Sequence, residues 1–142
     1  MATAYLATKA QTGIQPRYVE NGRVDVVSSY ALTGAFVIND TVQICTVPAG
    51  ASILSIKIDS PDMDTGGTAF TFDIGDATTA DRFAAASTQL QNAGIYEALT
   101  VVGSFGYTYS AATALKFKVH AAATTAPTTG TINFVVSYTM DP

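Results

Sequence analysis

Four stretches of this chain alternate apolar and polar side chains with a period of two. Leu54, Ile56 and Ile58 alternate with Ser55 and Lys57. Phe70, Phe72 and Ile74 alternate with Thr71 and Asp73. Leu115, Phe117 and Val119 alternate with Lys116 and Lys118, and Ile132, Phe134, Val136 and Tyr138 alternate with Asn133, Val135 and Ser137. A period of two puts every second side chain on one face of a sheet, so each run predicts a strand with one apolar face. Further strands are expected at residues 24–32, 35–38, 41–47, 98–102 and 105–110, from their β-branched and aromatic content. Turn residues interrupt the runs: Asn21-Gly22, Asn39-Asp40, Pro48-Ala49-Gly50, Asp64-Thr65-Gly66-Gly67, Gly75-Asp76, Gly103-Ser104 and Thr128-Thr129-Gly130. Val102-Gly103-Ser104-Phe105 reads as a two-residue hairpin. Eight or nine short strands separated by turns predict an all-β sandwich or barrel.

Two segments stand apart. Residues 1–22 carry Gly13, Pro16 and only isolated apolar side chains, and read as an extended arm without a core of its own, ahead of a β domain at 23–142. Residues 77–97 are alanine-rich and predict a short helix or a loop. Residues 121–127 form a low-complexity loop between the last two strands.

Charge narrows the function. The net charge is −4 and the seven basic residues are scattered, which excludes the basic patch of a nucleic-acid binder. Charged residues make up 13% of the chain, against a usual ~25%. Such a shortage points to a surface covered by other protein, although 21 threonines also supply polarity. One cysteine cannot form an internal disulfide. No apolar run approaches the ~18 residues of a membrane span, and the N-terminus lacks the pattern of a secretory signal. A protein that folds where it is made is expected.

The acid-rich stretch from 60 to 83 is the one place that suggests chemistry, with five of nine aspartates. Asp62-Met63-Asp64-Thr65-Gly66 has a spacing similar to part of a calcium loop, yet calcium takes 6–8 oxygens and the later bidentate glutamate is missing. The stretch reads instead as a strand between two acidic turns. Asp73 is expected in solvent or at a sheet edge, Asp76 at a turn, and Asp81 as the cap of a short helix containing Phe83. Arg82 is expected to form an exposed pair with a turn carboxylate. His120 is the only histidine and falls on the polar face of its strand, and Cys45 lies within a strand as a buried thiol. No nucleophile elbow, phosphate loop or paired metal-ligand spacing occurs. The chain reads as a non-enzyme with no cofactor.

The motifs that carry a family resemblance are Thr46-Val47-Pro48-Ala49-Gly50-Ala51 leading into a strand, then Thr68-Ala69-Phe70-Thr71-Phe72-Asp73-Ile74-Gly75-Asp76, then Asp81-Arg82-Phe83. In this order they resemble small structural proteins of tailed-phage virions, notably capsid decoration (cement) proteins, over residues 41–138. The resemblance implies a jelly-roll-like antiparallel β-sandwich of about eight strands with an extended N-terminal arm. It implies a homotrimer on the outer capsid surface of a virion, made in the host cytoplasm. Such a trimer bridges major capsid protein subunits and binds neither nucleic acid nor membrane. Phage tail and fibre modules that bind host receptors or carbohydrate share the pattern and remain the alternative.

Residues of the arm are then the candidate partner contacts. Tyr5, Leu6, Ile14 and Tyr18 are its aromatic and aliphatic anchors. The competing expectation is that the arm packs back on the sandwich or adds a strand to it. For the carbohydrate alternative the place to look is Tyr107 and Tyr109, two residues apart on one face, where sugar rings could stack; a half-buried tyrosine pair is the plainer expectation.

Overall fold

A computed structural model describes residues 2–6 and 22–140. Nine strands occur among them: β1 (Ala4–Leu6), β2 (Arg23–Ala31), β3 (Thr41–Val47), β4 (Ala51–Ser60), β5 (Thr71–Gly75), β6 (Ala84–Ser87), β7 (Gly94–Glu97), β8 (Thr113–Ala121) and β9 (Thr131–Met140). They form two sheets, ordered β1-β3-β8-β5-β6 and β2-β9-β4-β7. Every pairing is antiparallel except β1 with β3. From β2 onward, each connection crosses to the other sheet, except the β5–β6 turn. Two four-stranded sheets wound this way make a jelly roll. β1 is added to the outer edge of β3.

The alternation explains the core. On β8, Leu115, Phe117 and Val119 are fully buried; on β9, Ile132, Phe134, Val136 and Tyr138 are, and the two sets face each other across the sandwich. Phe117 bridges them, with its ring 5.2 Å from Phe72 and 6.1 Å from Phe134. Cys45 is buried beside Ile44, where a register shift between Gln43 and Cys45 turns both side chains inward.

Several expectations are corrected. Leu54 is only half-buried: a register shift between Ile53 and Ser55 changes the phase of β4, so Ile53 joins Ile56 and Ile58 in the core. Residues 77–97 hold no α-helix but β6, a single 3-10 turn at Gln89–Gln91, and β7; Asp81 therefore caps no helix. Residues 35–38, 98–102 and 105–110 form no strand, and Val102-Gly103-Ser104-Phe105 is a turn within a long β7–β8 loop rather than a hairpin.

Strand directions sort the loops. The β2–β3, β4–β5, β6–β7 and β8–β9 loops lie at one end of the sandwich, the upper end. The β3–β4, β5–β6 and β7–β8 loops lie at the other, the lower end. Strands of nine and ten residues separate the two ends by roughly 30 Å.

Candidate partner-binding surface

One buried aspartate ties the loops together at each end. At the upper end Asp64 is almost wholly buried. Its Oδ2 accepts from the backbone N–H of Ala69 and Phe70, and its Oδ1 from Thr124 and Thr125. Burial pushes this carboxyl up, but the four amides outweigh it and hold the group below the usual carboxylate range. With its lone pairs so used, Asp64 offers nothing to a cation. Asp62 bonds the backbone N–H of Asp64 in the same turn. Among the described residues no cluster of three metal-ligating side chains occurs.

At the lower end the corresponding group is Asp76. Its Oδ1 accepts from the backbone N–H of Thr78 and Thr79, closing the β5–β6 turn. Its Oδ2 accepts from Arg82 Nε at 2.6 Å and from the Tyr109 hydroxyl at 2.7 Å. Burial pushes the carboxyl up, yet Arg82, Tyr109 and the turn amides bring it down to about 2. Burial and the neighbouring carboxylate push the Tyr109 hydroxyl well above its ordinary value. The pair with Arg82 is not the exposed one expected from sequence: the Arg82 side chain keeps 18% of its surface and that of Asp76 3%. The Arg82 guanidinium also lies 4.1 Å over the Tyr107 ring, which meets Tyr109 edge-on at 5.0 Å.

This frame fixes the β7–β8 loop. Tyr109 and Tyr107 exchange backbone bonds with β4, through Tyr109 N–H to Ala51 and Ile53 N–H to Tyr107. Thr100 and Val101 N–H both reach the carbonyl of Phe83. From that base the tip projects, with Val102 100% and Phe105 70% exposed. Beside the tip lies a depression of about 420 Å³ walled by Arg82, Ala85, Val101, Val102, Ser104 and Tyr107. Sequence reasoning named Tyr107 and Tyr109 but missed Val102 and Phe105. The available signal was charge: the 18 residues between Glu97 and Lys116 contain no charged side chain. The tyrosines themselves are not an open platform, since Tyr109 is buried and Tyr107 is half-buried under Arg82.

Of the arm residues, Tyr5 and Leu6 lie in β1, while Ile14 and Tyr18 fall outside the described residues. Tyr5 packs inward, 5.0 Å from the Tyr30 ring and 6.0 Å from Phe36. Leu6 pairs in register with Gln43. Buried Asp40 anchors the start of this strand: its two oxygens accept from Thr3 N–H at 2.6 Å and Val37 N–H at 2.8 Å. Val37 and Ile38, next to this anchor, are exposed.

The residues weighed for chemistry are placed as follows. Asp73 is buried rather than solvated, because Oδ1 accepts from Ala86 N–H and Oδ2 lies 3.0 Å from His120 Nδ1. Burial pushes the Cys45 thiol up to about 12, which keeps it protonated and inert at neutral pH.

No family model and no curated protein matches the sequence. Solved structures do match in fold. A chain in the capsid of Ralstonia phage GP4 aligns over 99% of both chains with a TM-score of 0.85 and 22% identity. A chain of the cyanophage Pam1 capsid asymmetric unit covers 90% of this chain and 93% of its own, with a TM-score of 0.66 and 28% identity. A chain in the acid-stable capsid of Helicobacter pylori bacteriophage KHP30 gives a TM-score of 0.51 at 16% identity, over 83% of this chain and 93% of that one. The structural neighbours of this jelly roll are thus phage capsid proteins, and the resemblance to virion structural proteins carried by its turn and core motifs extends to the whole fold.

Proposed function

We propose that this chain is a non-enzymatic structural protein of a phage virion, which decorates the outer capsid surface as a homotrimer and stabilises it by bridging major capsid subunits. The observation that carries this reading is the end-to-end likeness to a chain in the capsid of Ralstonia phage GP4. A bridge needs two separated contact regions, and two are available. The arm, with Tyr5, Leu6, Ile14 and Tyr18 as its anchors, is described at β1, which begins beside exposed Val37 and Ile38 at the upper end; the Val102/Phe105 tip projects from the lower end. Apolar side chains held out by rigid loops are the kind that anchor protein contacts. Covered Tyr107 and Tyr109 weigh against the carbohydrate-binding alternative.

The test is to add the purified protein to capsids that lack it, then measure co-sedimentation and the temperature at which the capsids release DNA. Saturable binding with a raised release temperature is expected. Binding no greater than to an unrelated protein surface would sink the reading.

A further inference from the structure

β8 runs through the middle of the β1-β3-β8-β5-β6 sheet, and its outward side chains include Lys116 and Lys118. Two residues apart on one strand, they stand about 7 Å from each other on the same face. Lys118 lies in register with Thr41 on one side and Asp73 on the other, and Lys116 with Gln43 and Gly75. Asp73 is the carboxylate nearest in register, yet both its oxygens are engaged, by Ala86 N–H and by His120 Nδ1. Asp40 and Asp76, just before β3 and just after β5, are buried and engaged as well. Among the described residues neither lysine forms an ion pair.

The other described cations differ. Arg23 pairs with Asp25, Arg82 pairs with Asp76, and Lys57 stands in register with Glu97. The outer face of the β2-β9-β4-β7 sheet therefore mixes Arg23 and Lys57 with exposed Asp25, Asp59 and Glu97. In a chain of net charge −4, the unpaired positive charge is gathered on the opposite sheet. We infer that the outer face of the β1-β3-β8-β5-β6 sheet docks an acidic protein surface, with Lys116 and Lys118 pairing with two of its carboxylates. On the virion reading above, on which the partner's identity rests, that surface belongs to a capsid subunit.

The surroundings of the lysines favour this occupant. Ala4, Thr41, Gln43 and Ala114 flank them, so an apolar partner finds little to bury, whereas small neighbours let a polar surface come close. Complementary charge supplies orientation and selects against wrong partners. Polyanions need more. Proteins gripping duplex DNA make on the order of 6–10 phosphate contacts, and anionic membranes are held by clusters of about 4–8 basic residues. Two lysines on an acidic protein meet neither requirement. The face is also continuous with β1, the described part of the arm, so a partner touching the arm lies beside it.

Two probes test this on the full chain. Hexaglutamate titrated into the isotope-labelled protein at about 50 mM salt is expected to shift amide resonances of β3, β8 and β5, and to shift none of them in Lys116→Ala with Lys118→Ala. Co-sedimentation with capsids lacking the protein is expected to weaken about tenfold or more in that double variant. Lys116→Arg with Lys118→Arg is expected to keep binding, and so is Lys57→Ala, which removes a cation from the other sheet. Hexaglutamate shifts that are absent or centred elsewhere overturn the inference. Capsid binding that survives loss of both lysines does so too, and leaves the virion reading standing. Tighter binding to duplex DNA or to phosphatidylglycerol vesicles than to hexaglutamate overturns the assignment to an acidic protein. A wild type that ignores capsids refutes the virion reading, and the hexaglutamate titration then decides the face by itself.

Discussion

Ala86 sits at φ +44°, in the left-handed region that disfavours a Cβ by about 1–2 kcal/mol. Its position is a register shift between β5 and β6, and its N–H is aimed at buried Asp73. Ala86 is exposed, so glycine costs no packing there. Ala86→Gly is expected to stabilise the fold by about 1 kcal/mol, read as a higher urea midpoint at unchanged slope. At Gly75 the opposite holds, because a Cβ would run into the backbone of Thr79 and Ala80. Gly75→Ala is expected to cost about 1–3 kcal/mol by the same measurement. Cys45 gives a third residue-level test. Its buried, protonated thiol should not react with an aromatic disulfide reagent in the native protein, and should react within the mixing time in urea. Native-state labelling at the unfolded rate would show that this part of β3 opens readily.

Among elements, the two aspartate-tied loop clusters decide how the molecule responds to acid. Asp76 sits at about 2 in the folded protein, against about 3.9 when unfolded. A depressed carboxyl stabilises the fold fully above the unfolded value, and that contribution is lost as pH falls through the folded value. The loss from Asp76 therefore runs from near pH 4 down to pH 2 and amounts to roughly 2–3 kcal/mol. Urea midpoints measured from pH 6 to pH 2 should fall across that window, and Asp76→Asn should flatten the fall while lowering stability at pH 6. Tyr109→Phe removes a hydroxyl from a buried carboxylate and is expected to cost about 1.5–3 kcal/mol at neutral pH. Little of this was legible in the sequence. The strands with strong alternation, β4, β5, β8 and β9, were plain, because period two and a buried face coincide. β6 was hidden because Ala84, Ala85 and Ala86 alternate nothing. The β7–β8 loop looked like two strands because Val101, Val102, Phe105, Tyr107 and Tyr109 have strand propensity, but its pairing with the start of β4 is too short to make one. That Asp73 and Asp76 are buried depends on His120 and Tyr109, 47 and 33 residues away, which no local pattern reveals.

For the whole molecule, the jelly-roll winding makes nearly every pairing distant in sequence. β2 pairs with β9, so Arg23 lies opposite Thr139, and β3 pairs with β8. Chains built from such pairings fold in milliseconds to seconds, because loop closure must precede the contacts that reward it. Stopped-flow refolding is expected on that scale; a microsecond phase carrying the full amplitude would contradict it. The same winding places the loops of alternate connections at opposite ends. One sandwich can therefore present different contact loops at its two ends without either set compromising the core.

β8 lies between β3 and β5, and β9 between β2 and β4, so a central strand of each sheet is made after the strands it joins. Until residues 113–140 follow, β2 has no partner, and β1 with β3, β5 with β6 and β4 with β7 can form only separate two-stranded pieces. An incomplete copy therefore exposes its apolar faces to the cell's proteases and chaperones instead of folding. Only finished copies reach the folded pool, so quality control of any assembly built from this protein begins on the ribosome, in the order in which its strands are spelled.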